Sequence, residues 1–262
     1  IKTGFSISKI DQQNKQIQIF FENNETVECD YLIISDGVFS KSKSLISNNK
    51  NKSRYSNTLA IRGILTKAPE NISNKNISLF FDSNFHNVIY PLNESGHLNF
   101  IAIMKHKLTI EEQKTYSLFT ENSFIKKIIY KIPKNKQKIF NNLKETKIFP
   151  VFISENFCKL KNNNIHLIGD AFFAFPPTFA QGASQSIEGA YELYKSIENN
   201  TESNFLKNRI NKIKMVNNRS KFNQFIFHLS SPLTTFLRNS FLKRLVKNKK
   251  FLESYLGKIY RN

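Results

Sequence analysis

Two short apolar runs, each ending in a carboxylate beside a glycine, constrain this chain more than any other feature. Tyr31-Leu32-Ile33-Ile34 leads into Ser35-Asp36-Gly37-Val38-Phe39-Ser40, and Ile165-His166-Leu167-Ile168 leads into Gly169-Asp170-Ala171. Apolar runs of this length bounded by turn formers predict buried strands. A carboxylate delivered to the C-terminal end of such a strand stands where ligands of α/β sheets bind. Taken singly, an Asp-Gly junction says little, since both are ordinary turn residues. The second junction is more specific because it continues as Phe172-Phe173-Ala174-Phe175-Pro176-Pro177-Thr178-Phe179-Ala180-Gln181-Gly182-Ala183-Ser184.

The rest of the chain supplies a framework for these junctions. Alternating runs Gly4 to Ile10 and Lys15 to Phe21 flank the polar Asp11-Gln12-Gln13-Asn14 and predict a β-hairpin. Residues 41–56 read as a loop. Leu59 to Leu65, Ile77 to Phe81, Asn87 to Tyr90 and Leu98 to Met104 then read as strands whose short polar connections predict an antiparallel sheet. Thr109-Ile110-Glu111-Glu112 fits a capping box, so a helix is expected from Thr109 to about Ile132, with Pro133 ending it. A strand follows at Ile148 to Ile153. Ala183, Ile187, Ala190 and Tyr194 fall on one face of a helix after the second junction. Further helices are expected from about Asn204 to His228 and from about Leu233 to the end, separated by Pro232.

Composition excludes several classes. Apolar runs broken by Lys, Asn or Ser leave no stretch of about 18 residues for a membrane span. Cys29 and Cys158 are far apart and outside any metal-ligand spacing, so neither a disulfide framework nor a metal site is expected, and a reducing, cytoplasmic setting fits. The net charge of +19 invites a nucleic-acid partner, but Lys is scattered in company with Asn, Ile and Phe, and no nucleic-acid role is expected. The exception is the tail, where Lys212, Lys214, Arg219, Lys221, Arg238, Lys243, Arg244, Lys247, Lys249 and Lys250 surround apolar stretches, a pattern that suits peripheral contact with a membrane.

The run from Gly169 to Ala190 resembles the flavin-binding signature of the single-component FAD-dependent aromatic monooxygenases, the family of para-hydroxybenzoate hydroxylase, salicylate hydroxylase and the ubiquinone-pathway hydroxylases. Gly169, Asp170, Ala171, Pro176, Gln181, Gly182 and Ala190 stand at matching positions, and Asp36-Gly37 with Ser40 matches the family's DGxxSxxR marker. His86 to Leu92, Leu98 to Ala102 and Ala60-Ile61-Arg62-Gly63 look like substrate-domain segments of the salicylate-hydroxylase-like branch. The resemblance implies an α/β FAD/NAD(P)-binding Rossmann-like fold lacking its first βαβ unit, with an inserted antiparallel-sheet substrate domain of α+β character and C-terminal helices. The corresponding divisions are 1–56 and 154–200 for the FAD-binding part, 57–153 for the substrate domain and 201–262 for basic helices. No Gly-x-Gly-x-x-Gly occurs in the chain, which begins without Met. The pyrophosphate-holding unit is therefore expected upstream of Ile1.

By the same resemblance, FAD is the cofactor, NAD(P)H and O2 are co-substrates, and a small aromatic compound is hydroxylated through a C4a-hydroperoxyflavin. Asp36, Gly37, Gly169, Asp170, Ala171, Pro176, Gln181, Gly182, Ala183 and Ser184 are the implied cofactor-binding residues. Asp170 would accept a hydrogen bond from the ribityl chain, and the helix starting near Gln181 would aim its free N–H groups at the flavin's pyrimidine edge. Arg62, His86, Phe173 and Pro177 are candidate substrate contacts. Arg62 reads equally as half of a surface ion pair, and His86 as a solvated or core-edge residue. Phe172, Phe173, Phe175 and Phe179 either wall an aromatic pocket or pack the loop. Phe173 replaces the family's usual His, Ser184 its usual Asn, Gly189 its usual Asp and Lys43 its usual Arg. No acid–base residue is assigned. A reductase of the same fold and a non-catalytic basic membrane-surface protein remain as alternatives, whereas the halogenase signature needs Trp, which the chain lacks.

Overall fold

The computed structural model describes residues 1–13, 16–47, 53–67, 69, 72–73, 75–92, 96–158, 160, 164–257 and 259. Its strands are β1 (Ile7–Gln13), β2 (Gln16–Phe21), β3 (Thr26–Cys29), β4 (Leu32–Ile34), β5 (Arg54–Leu65), β6 (Ser78–Asp82), β7 (Phe85–Pro91), β8 (Leu98–Lys105), β9 (Leu143–Ile153) and β10 (Ile165–Leu167). Its helices are α1 (Lys41–Ile46), α2 (Ile110–Lys114), α3 (Asn122–Tyr130), α4 (Lys134–Gln137), α5 (Gly169–Phe172), α6 (Gly182–Glu198), α7 (Glu202–Phe227), α8 (Pro232–Leu245) and α9 (Lys249–Leu252). The chain divides into two units, Ile1–Arg54 with Phe152–Lys221 and Tyr55–Val151 with Phe222–Asn262.

In the first unit β4 and β10 pair in parallel, Leu32 opposite Ile165 and Ile34 opposite Leu167. The register continues one step, Ile168 N–H donating to Ile34 O at 3.0 Å, so both Asp/Gly junctions leave the sheet at the same end. β1, β2 and β3 form an antiparallel meander. Ile17, Ile19, Leu32, Ile34, Ile165, Leu167, Ala171, Phe172, Phe173 and Ile213 share one buried core. β1 runs through Gln13, residues expected to turn, and the tip of the hairpin at 14–15 lies outside the described residues.

The second unit is built on a five-stranded sheet in the order β6-β7-β8-β5-β9. β5–β8, β7–β8 and β6–β7 are antiparallel, as the short connections predicted. Leu59, Ile61, Leu65, Ile89, Leu98, Phe100 and Ile128 are almost wholly removed from water.

Several expectations need correction. Residues 41–56 are not a loop: Ser40 caps α1, its Oγ accepting from Lys43 N, and β5 begins at Arg54, while 48–52 lie outside the described residues. The capping box at Thr109 is present, but the helix stops at Lys114 and resumes as a 3-10 turn and then α3. Thr115 Oγ1 donates back to Glu111 O and Thr120 Oγ1 to Ser117 O, side-chain bonds that compete with the helical ladder. The helix after Pro232 breaks into α8, α9 and a π turn, and 258 and 260–262 lie outside the described residues. α7 spans the boundary between the two units, its residues up to Lys221 in the first and those from Phe222 in the second. Finally, α6 buries Gln185, Gly189, Leu193 and Ser196. The predicted apolar face is exposed, Ile187 by 72% and Tyr194 by 57%.

Candidate functional site

Asp36 leaves the end of β4 with its carboxylate already committed: Oδ2 accepts from Ser42 N at 3.1 Å. Together with the Ser40 cap it fixes the start of α1. Gly37 has φ +81°, and nothing lies within 4 Å of where its Cβ would be, so the backbone there is open to close approach. Lys43, 3% exposed, donates from Nζ to Asn156 O at 3.0 Å, Phe172 O at 3.2 Å and Ser154 Oγ at 3.4 Å. It pins α1 to the turn that carries the second junction. Burial lowers its ammonium below the ordinary lysine range, and among the described residues no carboxylate pairs with it.

The second junction is arranged differently. Gly169 takes φ +58°, which turns the chain out of the strand direction so that Asp170 falls in the first turn of α5. Asp170 is exposed and makes no hydrogen bond or ion pair among the described residues. Desolvation by its surroundings raises its carboxyl above the ordinary range. Ala171, Phe172 and Phe173 turn into the core, Phe173 stacking on Phe157 at 4.7 Å between centroids. Phe172, Phe173 and Phe179 are thus buried packing residues. Pro176 is buried and Pro177 exposed; Thr178 Oγ1 donates to Ser220 O and ties the loop to α7.

Ala180, with φ +52°, ends this loop and starts α6 behind Gln181. No side chain caps α6, so the N–H groups of its first turn, Gly182, Ala183 and Ser184, are left for something outside the helix. The space where Gly182 would carry a Cβ is open. Ala183 is exposed, Ser184 half-buried and Gln181 buried. The second junction thus presents a free carboxylate and, one loop later, a bare helix N-terminus, favourable to negative charge by roughly 0.3–2 kcal/mol.

Beneath these groups, a cavity bordered by Leu167, Phe173, Gln185, Gly189 and Arg209 measures about 10 Å³, room for no more than a single water. Arg209, which sequence reasoning passed over, explains this close packing. It is 3% exposed, donates from Nη2 to Gln185 O and pairs with Glu192 at 3.3 Å. Its Nε lies 3.0 Å from where a Cβ on Gly189 would be. The departure from the family's Asp at position 189 therefore coincides with a guanidinium filling that space.

In the second unit, Arg62 is exposed, its guanidinium 5.9 Å from the centroid of the Phe149 ring. His86 is 2% exposed, and its Nδ1 lies 2.8 Å from Nε2 of His228, likewise 2% exposed. Burial lowers the pKa of His86 to about 3 and that of His228 to about 4. His86 is therefore one half of a buried neutral pair, neither solvated nor presented to a ligand. Nothing in the spacing of His86 and His228 could have announced it.

A parallel strand pair with glycines and a carboxylate at its C-terminal edge, followed by a helix with a free N-terminus, defines a unit of the dinucleotide-binding class. The chain belongs to the FAD binding domain family, whose profile matches residues 8–202. Comparison of the sequence with curated proteins finds no match. Among solved structures, the chain is similar to Klebsiella pneumoniae HpxO in complex with FAD and uric acid, with TM-score 0.80, 15% identity, 98% of this chain and 66% of that one covered. It is also similar to salicylate hydroxylase in a substrate complex, with TM-score 0.73, 14% identity, 92% and 66% covered. A third such structure is 2,6-dihydroxypyridine-3-hydroxylase from Arthrobacter nicotinovorans, with TM-score 0.65, 16% identity, 87% and 65% covered. At these identities the likeness is one of fold, and the chain spans 66% of the length of HpxO.

Proposed function

We propose that this chain carries the flavin-ring side of an FAD-dependent monooxygenase that hydroxylates a small aromatic compound with NAD(P)H and O2. The observation that carries the reading is the unpartnered carboxylate of Asp170, set at the end of β10 and one loop before the uncapped start of α6. Those groups fit the cofactor: a carboxylate without a partner is a strong acceptor for a ribityl hydroxyl. The N–H groups of Gly182, Ala183 and Ser184 suit the electron-rich edge of the reduced ring. Open space at Gly37 and Gly182 admits close approach. When bound, FAD supplies the redox and oxygen-transfer chemistry.

The chain's own residues hold and orient. Asp36, Ser40 and Lys43 fix the first junction, Ala171 and Pro176 anchor the second, and Gln181 seats the start of α6. Arg62 and Pro177, each exposed in its own unit, are the candidates for substrate contact, whereas Phe173 packs on Phe157 and His86 on His228, both buried within their units. The aromatic substrate class is supported by the uric acid and substrate complexes of two structurally similar proteins.

No Gly-x-Gly-x-x-Gly is present, so residues 1–262 alone should bind FAD weakly. Titrating flavin fluorescence against this chain should show weak, saturable quenching. Asp170→Ala should reduce the affinity by about tenfold, the loss of one charge-assisted hydrogen bond of about 1.5 kcal/mol. Unchanged affinity in that variant removes Asp170 from the site. Oxygen uptake matched by hydroxylated product, measured on a form that retains FAD, distinguishes the monooxygenase from a reductase of the same fold.

A further inference from the structure

The last helices of the second unit invert the usual rule for a surface helix. One face of α8 carries Thr234, Thr235, Arg238, Leu242 and Leu245, buried or half-buried. Arg238 donates from Nη1 to Phe227 O at 3.1 Å and stands 5.4 Å over the Phe81 ring. The opposite face carries Leu233, Phe236, Leu237 and Phe241, spaced i, i+3, i+4 and i+8 and exposed by 56–69%. A stripe of that spacing normally faces a core. Here it is exposed over about two and a half turns. Phe222 and Phe225, near the end of α7, add two more exposed aromatics to the same unit.

The charge around this face says what covers it. From residue 222 to the end the sequence holds eight Lys or Arg against a single carboxylate, Glu253. Lys243, Arg244, Lys247, Lys249 and Lys250 are exposed. A second copy of the chain would bring like charges together. A nucleic acid would satisfy the lysines and leave the leucine and phenylalanine side chains in water. A bilayer with anionic headgroups takes both, apolar side chains entering the headgroup–acyl boundary while Lys and Arg reach the phosphates.

We propose that α8 and the basic segment after it dock this protein on an anionic membrane surface, through Leu233, Phe236, Leu237 and Phe241 with Lys243, Arg244 and Lys247. The contact is peripheral, since among the described residues no helix is long and apolar enough to cross a membrane. It is independent of the flavin reading, resting on residues outside the candidate cofactor site.

The test is co-sedimentation of the full 262-residue chain with phosphatidylcholine vesicles, with and without roughly 30% phosphatidylglycerol, in about 0.1 M salt. Binding to the anionic vesicles should exceed binding to the neutral ones by at least about tenfold. Phe236→Ser with Phe241→Ser alters only exposed side chains, so the circular dichroism spectrum and melting temperature should hold. Vesicle binding should fall by about tenfold or more with charge unchanged. Lys243→Gln with Lys247→Gln should weaken binding and its salt dependence. Absence of binding to anionic vesicles overturns the proposal. Binding that survives the serine substitutions overturns the helix-face assignment. A wild-type dimer by light scattering that those substitutions dissociate, without vesicle binding, assigns the face to a second copy instead.

Discussion

Gly189 and Arg209 show how a single missing methyl group organises the helix beneath the candidate site. An alanine Cβ at 189 would stand 3.0 Å from Arg209 Nε and 3.2 Å from Cζ. The guanidinium cannot step aside, because Gln185 O and the Glu192 carboxylate hold it. Gly189→Ala gains up to about 1 kcal/mol of helix propensity, against about 1–3 kcal/mol for overpacking. The expected result is a net loss of up to roughly 2 kcal/mol, read as a lower urea midpoint. In an Arg209→Ala background the same substitution should become neutral or stabilising, and this coupling checks the mechanism. Asp170 and the glycines at 37 and 169 were legible in the sequence, because a carboxylate or a positive φ at a strand end has a residue signature. Lys43 as a buried strut, Arg209 as a filler and the His86–His228 pair were not: each is defined by what another segment brings to it.

Elements followed the sequence where a local rule decided them. Thr109 and Glu112 exchange both capping bonds, Thr109 N to Glu112 Oε2 at 2.9 Å and Glu112 N to Thr109 Oγ1 at 3.1 Å. α2 is only five residues long, and a helix so short depends on its cap. Thr109→Ala should cost about 1 kcal/mol locally. In hydrogen exchange this appears as an acceleration of about fivefold at the amides of Gln113 to Thr115; unchanged exchange there would mean tertiary packing, not the cap, holds the turn. The same logic explains the strands: β4, β7, β8 and β10 are apolar, short and bounded by turn formers. α1 leaves no signal in the sequence although its cap, Ser40, belongs to a motif, because a helix of six residues carries too little apolar periodicity to register. α6 was recognised as a helix with the wrong face inward. Hydrophobicity selected Ala183, Ile187, Ala190 and Tyr194, whereas the packed side is small and polar, chosen by Arg209 and by close approach at Gly189.

At the scale of the molecule, the buried histidines make stability depend on pH in a direction that can be worked out. Both rings have pKa values far below the 6.5 of an unfolded histidine, His86 at about 3 and His228 at about 4, because burial disfavours the imidazolium. Lys105 and Arg238 push His228 the same way, against an opposing hydrogen bond to the Ile103 backbone, and His228 adds to the shift of His86. A depressed pKa on a base means the unfolded chain binds more protons than the folded one between the two values. Stability is therefore fully present above about pH 6.5 and is lost as pH falls toward about 4, at up to roughly 1.4 kcal/mol per pH unit for each ring. The net charge of +19 works in the same direction, since added protons increase self-repulsion. Salt separates the two contributions, because it screens the exposed charges and leaves a buried pair almost untouched. Urea unfolding followed by tyrosine fluorescence, at about pH 7, 6, 5 and 4.5 and at low and high salt, should show a midpoint that falls steadily with acid and keeps falling in high salt. His86→Phe with His228→Leu should flatten that residual slope. A midpoint independent of pH in high salt would show that the pair admits protons without disturbing the fold, and the burial argument would then be wrong for this unit.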